Sequence, residues 1–265
     1  MIILKFKPGI FLAIMLSACL LSGCGGTKML KASQPMQPTQ PLSAASDSQV
    51  EAELDWVIVR DGPGTWAKNA DWDEYLLSVG NLSEQPISVV RLTVVDSLDT
   101  RIEPQLDRKQ LVKNSKRTAR RYKESGVKVK AGRGVGTMLV AGAAVTAVGV
   151  GAATAVAYGS AMSGAAVGSA GAAAGGLLLL GPALAVGGIV RGVNNSKVNN
   201  EIERRQTVLP LQVPAGEKLG LNVFFPLAPS PKVLELVYAD ATGEHIMMID
   251  TSEALSGLHV EASEE

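Results

Sequence analysis

The run ISVVRLTVV, residues 87–95, alternates with a period of two: Val89, Arg91, Thr93 and Val95 fall on one side, and Val90, Leu92 and Val94 on the other. The second side is wholly apolar, so the stretch reads as a β-strand that buries one face. Similar short runs lie on either side of it. Upstream, DWVIV (55–59) is followed by the turn Asp61-Gly62-Pro63-Gly64, and YLLSVGN (75–81) ends in Gly80-Asn81; downstream, TRIEP (100–104) closes the group. A second group follows near the carboxyl end: QTVLPLQV (206–213), KLGLNVFFPL (218–227), KVLELVYA (232–239) and EHIMMID (244–250). Leu219, Leu221, Val223 and Phe225 alternate in it, and Asp240 to Glu244 reads as the turn of a hairpin.

Seven or eight strands of this length suit an antiparallel β-sandwich. Neither group is large enough alone, so residues 54–106 and 204–258 are expected to complete one sandwich, with everything between them inserted. Two separate small β units are the other reading. The pattern resembles immunoglobulin-like modules of bacterial envelope proteins, in architecture only, because no Cys-Trp-Cys framework is present.

The amino terminus opens with Lys5 and Lys7, continues through an apolar run from Ile10 to Leu16 and reaches small residues before a cysteine. That is the layout of an export signal, residues 1–23. Leu21-Ser22-Gly23-Cys24 resembles the bacterial lipobox, and Leu16-Ser17-Ala18-Cys19 is a second match. The resemblance implies cleavage before Cys24 and acylation of that cysteine; the absence of an acidic residue after it points, by the same resemblance, to the outer membrane. With Cys19 removed, the mature chain keeps no thiol for a disulfide, a metal or catalysis. Residues 24–53 are rich in Gln, Pro, Ser and Ala and read as an extended tether.

Charge is balanced overall, 25 basic against 25 acidic residues, but not locally. Eleven Lys or Arg residues lie between Arg108 and Arg133, with Glu124 the only acid. Residues 107–133 therefore read as a basic segment lying against anionic headgroups. Gly134 to Tyr158 and Met162 to Val190 are uncharged runs of 25 and 29 residues. As helices, each is long enough to cross a hydrocarbon layer about 30 Å thick. Small residues recur every fourth position, at Ala143, Ala147, Gly151, Ala155 and Gly159, then at Ser160, Gly164, Gly168, Ala172 and Gly176. Such rows let helix backbones approach closely. Residues 134–190 thus read as a glycine-zipper transmembrane hairpin, with Lys128, Lys130, Arg133 and Arg191 at one membrane surface, a polar linker over 191–203 and an acidic tail over 259–265. The expected fold class is α+β, an immunoglobulin-like antiparallel β-sandwich interrupted by that hairpin.

Lipobox, tether and zipper together resemble glycine-zipper outer-membrane lipoproteins, including the SlyB-like and TraT-like groups. The resemblance covers the anchor and roughly residues 132–192, and it implies self-association in the envelope. Expected partners are membrane lipid, further copies of the chain and an envelope protein, with no nucleic acid.

Little points to chemistry. His245 lies in a strand-like run and His259 in the tail, so they are not spaced as metal ligands. Gly132 to Gly136, GRGVG, lacks the spacing of a dinucleotide loop and reads as the start of the zipper. Asp71, Asp73 and Glu74 around Trp72 read as an exposed loop, with calcium binding as the alternative. No catalytic residue, metal or cofactor is expected. The function expected is a structural or interaction role in the envelope, with an oligomeric pore or secretion component as the other class.

Overall fold

The computed structural model describes residues 27–31, 40–136 and 187–261. Its strands are β1 (Lys28–Met29), β2 (Ser43–Ser46), β3 (Val50–Ile58), β4 (Ala67–Lys68), β5 (Asp73–Asn81), β6 (Ile87–Val95), β7 (Arg101–Ile102), β8 (Leu211–Val213), β9 (Lys218–Phe225), β10 (Val233–Asp240) and β11 (Gly243–Asp250). Helix α1 (Arg108–Glu124) follows β7, and helix α2 (Gly187–Arg205) precedes β8.

One sheet has the order β2-β3-β5-β9. The other runs β11-β10-β6-β7, with β8 also on β6, and every pairing is antiparallel. Each sheet mixes strands from before and after the inserted stretch: β9 pairs β5, and β10 pairs β6. Between the sheets lies one apolar core. Leu54, Tyr75, Leu77, Leu221 and Phe225 come from one side, and Leu92, Val94, Leu234, Leu236 and Ile249 from the other. A β1-β4 pair lies apart from both sheets.

Two bulges decide which side chains reach this core. On β6, Val237 of β10 faces Arg91 and Tyr238 faces Val89, so Val90 is an extra residue without an opposite number. Ile87 and Val89 point inward before the bulge, and Leu92 and Val94 after it. Strict alternation puts Val89 and Leu92 on opposite faces; the inserted residue brings them to the same one. Asp55 plays the same part on β3, between Leu54 and Trp56.

Helix α1 starts at Asp107, whose carboxylate accepts the Lys109 and Gln110 amides at 2.9 and 3.2 Å. It ends at Ser125 and Gly126; Gly126 has φ +78°, and the Val127 amide returns to the Tyr122 carbonyl at 2.9 Å. Its buried stripe is Leu111, Ser115, Thr118 and Tyr122. Two of the three hydroxyls in that stripe reach polar partners outside the helix. Ser115 Oγ donates to the Asp71 carbonyl at 2.5 Å and accepts the Leu227 amide at 3.0 Å, while Tyr122 Oη lies 2.8 Å from Ser97 Oγ.

Several expectations are corrected. Among the described residues no helix is long and apolar enough to cross a membrane, so the α+β sandwich with a transmembrane hairpin gives way to a mostly β fold with two helices. α2 runs unbroken past the expected membrane boundary at Val190 into a polar sequence. The zipper positions Ala143, Ala147, Gly151, Ala155, Gly159, Gly164, Gly168, Ala172 and Gly176 lie outside the described residues, as does Cys24. The lipoprotein and outer-membrane assignments therefore gain no support from the fold.

The tether is partly folded, since β2 and the start of β3 pair with each other, with Val50 and Ala52 fully buried. The polar linker is helix, because Val198 and Ile202, four apart, are buried. The acidic tail begins inside the fold: His259 is fully buried and Val260 bridges Val129. GRGVG is also part of the sandwich. A Cβ on Gly132 would stand 2.1 Å from the Arg60 carbonyl oxygen, and one on Gly134 2.2 Å from that of Gly257. Only glycine lets the backbones come that close.

Candidate functional site

The dipeptide Asp73-Glu74 opens β5, and strand alternation sends its two carboxylates to opposite faces of the sheet. Both are buried, which overturns the exposed-loop reading. Among the described residues no cluster of three or more His, Cys, Asp or Glu is placed to hold a metal ion.

Glu74 faces a second apolar cluster, formed by Trp66, Trp72 and Phe224 with Leu111 of α1 and Val198 and Ile202 of α2. Three donors converge on its carboxylate: Trp66 Nε1 at 2.7 Å, Arg205 Nε at 2.9 Å and Asn222 Nδ2 at 3.0 Å. The Arg205 guanidinium also lies 5.4 Å from the centre of the Trp66 ring. Burial pushes the Glu74 carboxyl up, against the pull of Arg205 and Trp66. The last turn of α2 is thereby bolted to the sheet.

Asp73 shares the inner face with Tyr75 and holds the carboxyl end of the chain. Its Oδ2 lies 2.8 Å from His259 Nε2, both side chains being fully buried. The Gly132 amide donates to His259 Nδ1 at 3.1 Å, so Nδ1 is the acceptor and Nε2 carries the hydrogen directed at Asp73. Both ring nitrogens are occupied. Backbone bonds flank this contact, from Lys130 N to His259 O and from His259 N to Arg133 O, each 2.8 Å. Burial, and then the Asp73 carboxylate, push the Tyr75 phenol well above its ordinary range. Adjacent acids thus fix the two segments that flank the inserted stretch, Lys130–Arg133 through His259 and α2 through Arg205.

The outward side of α1 is basic. Lys109, Lys113, Lys116, Arg117 and Arg120 are exposed, and with Arg108 and Val112 they line a groove of about 510 Å³. Among the described residues none of these five forms an ion pair. Arg121 does, with the buried Asp96. The amino-terminal segment lies beside this helix: Arg108 Nη1 donates to Thr27 Oγ1 at 3.4 Å, and Met29 of β1 packs on the Trp66–Leu111 cluster.

Of the expected membrane-surface residues, Lys128 and Arg133 lie beside Glu261. Lys128 Nζ is 2.6 Å and Arg133 Nη2 3.6 Å from Glu261, whose carboxyl the Lys128 contact holds below its ordinary value. Lys130 is exposed. Arg191 falls within α2, where its side chain is outside the described set. Sequence reasoning missed Asp73, Glu74, His259 and Arg205. Glu74 shares its side of β5 with Leu76, Ser78 and Gly80, so no local pattern in the sequence identifies a partner for either carboxylate. The chain matches no protein-family model, no curated protein and no solved structure.

Proposed function

We propose that this chain is a structural or interaction protein of the cell envelope, without catalysis, held at a membrane surface by its amino-terminal segment and self-associating through the small-residue stretch. One observation carries the reading. The segment just after Cys24, the basic helix α1 and the helix α2 that leaves the inserted stretch all meet on the outer face of the β2-β3-β5-β9 sheet, around Trp66, Leu111 and Ile202. Two of these, the segment after Cys24 and the basic helix, point toward a membrane in the sequence, and they share one side of the fold. The sandwich beyond them is left as a contact surface for an envelope partner.

This placement also shortens the tether. Thr27 is buried, and only Gly25 and Gly26 separate it from Cys24, so an acyl group there would hold the sandwich against the headgroups. Self-association is supported by the Ala and Gly rows of the sequence, which favour close backbone packing.

Cell fractionation, and the native mass of the full chain in detergent, test both parts. The chain should sediment with membranes and, once purified, exceed the monomer mass; replacing Gly151, Ala155, Gly164 and Gly168 by leucine should return it to a monomer. Release of the unsubstituted chain with the soluble fraction overturns membrane attachment. A monomeric parent overturns self-association.

A further inference from the structure

We propose that the outward face of α1 is a docking surface for phosphate-bearing anionic lipid headgroups. The inference rests on the membrane attachment proposed above and names the surface that does the contacting. Lys109, Lys113, Lys116, Arg117 and Arg120 lie at intervals of four, three, one and three residues, which brings them to one side of a helix. The other side holds the buried stripe of Leu111, Ser115, Thr118 and Tyr122. The stripe from Lys109 to Arg120 is about 17 Å long at 1.5 Å per residue.

Like charges four apart oppose helix formation, and this face has three such pairs: Lys109 with Lys113, Lys113 with Arg117, and Lys116 with Arg120. A helix needed only to cover the sheet has no use for that repulsion. An anionic surface removes it. Asp96 is engaged with Arg121 and Glu261 with Lys128 and Arg133, and although Glu124 lies four residues past Arg120 on the same side of α1, none of the five basic side chains forms an ion pair among the described residues, so the face stays strongly positive for an outside partner. The half-buried Val112 gives the groove an apolar floor between the cations.

The argument for lipid over another polyanion is position. Arg108, at the start of the stripe, touches Thr27, three residues after Cys24. Whatever holds the amino terminus at a bilayer therefore presents α1 to the headgroup layer as well.

The test uses the full chain carrying Cys19→Ser and Cys24→Ser, so that no acyl group contributes, with vesicles of phosphatidylglycerol and phosphatidylcholine in equal amounts against phosphatidylcholine alone. Co-sedimentation should favour the anionic vesicles and weaken with salt as the Debye length falls from about 30 Å at 0.01 M to about 8 Å at 0.15 M. Each basic side chain near such a surface accounts for about a five-fold change in partitioning, so Lys113→Gln with Arg117→Gln should lower it by about 25-fold at low salt. Lys128→Gln should lower it by less, since Lys128 is already paired. Thermal melts should match or slightly exceed the parent's, because the substituted side chains are exposed and two of the like-charged pairs are relieved. Equal binding to both vesicle types, or parent-like binding by the doubly substituted chain, overturns the proposal. So does capture of duplex DNA by the same side chains without binding to vesicles. None of these outcomes bears on acyl attachment at Cys24, which the fractionation experiment reads separately.

Discussion

Replacing Glu74 with alanine takes the acceptor away from three donors at once. Trp66 Nε1 and Asn222 Nδ2 lie on buried residues and would have no water to turn to; a buried neutral donor left without a partner costs about 1–3 kcal/mol, so the two together cost about 2–6 kcal/mol. Arg205 is the lesser part, because its side chain is 25% exposed and Glu201 stands 3.7 Å away on the preceding turn. It can swing toward water. The central expectation is therefore a loss of about 4 kcal/mol, in line with the 3–5 kcal/mol typical of breaking a buried pair from one side. For a chain of this size, that lowers the melting temperature by about 10 °C. Glu74→Gln keeps one acceptor oxygen and should lose about half as much. Urea unfolding with linear extrapolation measures both, and trypsin locates the effect: cleavage after Arg204 and Arg205 should accelerate while cleavage after Lys128 and Lys130 does not. A loss under about 1 kcal/mol for Glu74→Ala, the range of an exposed residue, would show that this carboxylate does not hold α2.

Two further outcomes follow from geometry. Gly126 and Gly132 have nearly the same φ, +78° and +79°, but a Cβ on Gly126 meets nothing within 4 Å whereas one on Gly132 lands 2.1 Å from the Arg60 carbonyl oxygen. Gly126→Ala should cost only the left-handed penalty of about 1 kcal/mol, while Gly132→Ala adds about 1–3 kcal/mol of overpacking; equal losses in urea unfolding refute this placement of the segment. Asp47 is pushed up by burial, but the Gln49 amide, the Tyr238 hydroxyl and the Val50 amide outweigh this and hold its carboxyl below the ordinary value. A depressed carboxyl contributes stability above its ordinary pKa, lost as pH falls through the folded value, so urea midpoints should drop below about pH 4. Asp47→Asn should flatten that drop, and an unchanged slope would remove Asp47 from the account.

The strands around Ile87 and Leu219 could be read from the sequence because alternation of apolar side chains is a local property. So could the β10–β11 turn, where Asp240 faces Gly243 across the two residues Ala241 and Thr242. What could not be read depends on partners distant in sequence. An extra residue such as Val90 or Asp55 leaves the local pattern unchanged while reversing the parity of everything after it. Asp73 and Glu74 read as solvated because carboxylates usually are; their burial depends on His259, 186 residues away, and Arg205, 131 away. The inner stripe of α1 was hidden by Ser115 and Thr118, which show no hydrophobic periodicity, and by the eight basic residues of the helix. From Asn194 onward α2 offered only Val198 and Ile202 against a polar background.

The position of those two acids has a mechanical consequence. A strand holds successive side chains on opposite faces with little freedom between them, so Asp73 and Glu74 fix Lys130–Arg133 and α2 relative to one rigid element rather than to each other. A long insertion costs a sandwich little entropy provided its two stems are held by the fold. The stems are held here by buried hydrogen bonds at the cores they adjoin. A pull on α2 is resisted by Glu74 and by the Trp66–Ile202 cluster. A pull on the other stem meets His259 and the two close approaches at Gly132, against the Arg60 carbonyl, and Gly134, against that of Gly257. Association of the inserted stretch with other copies would therefore load two separate sets of contacts on either side of β5.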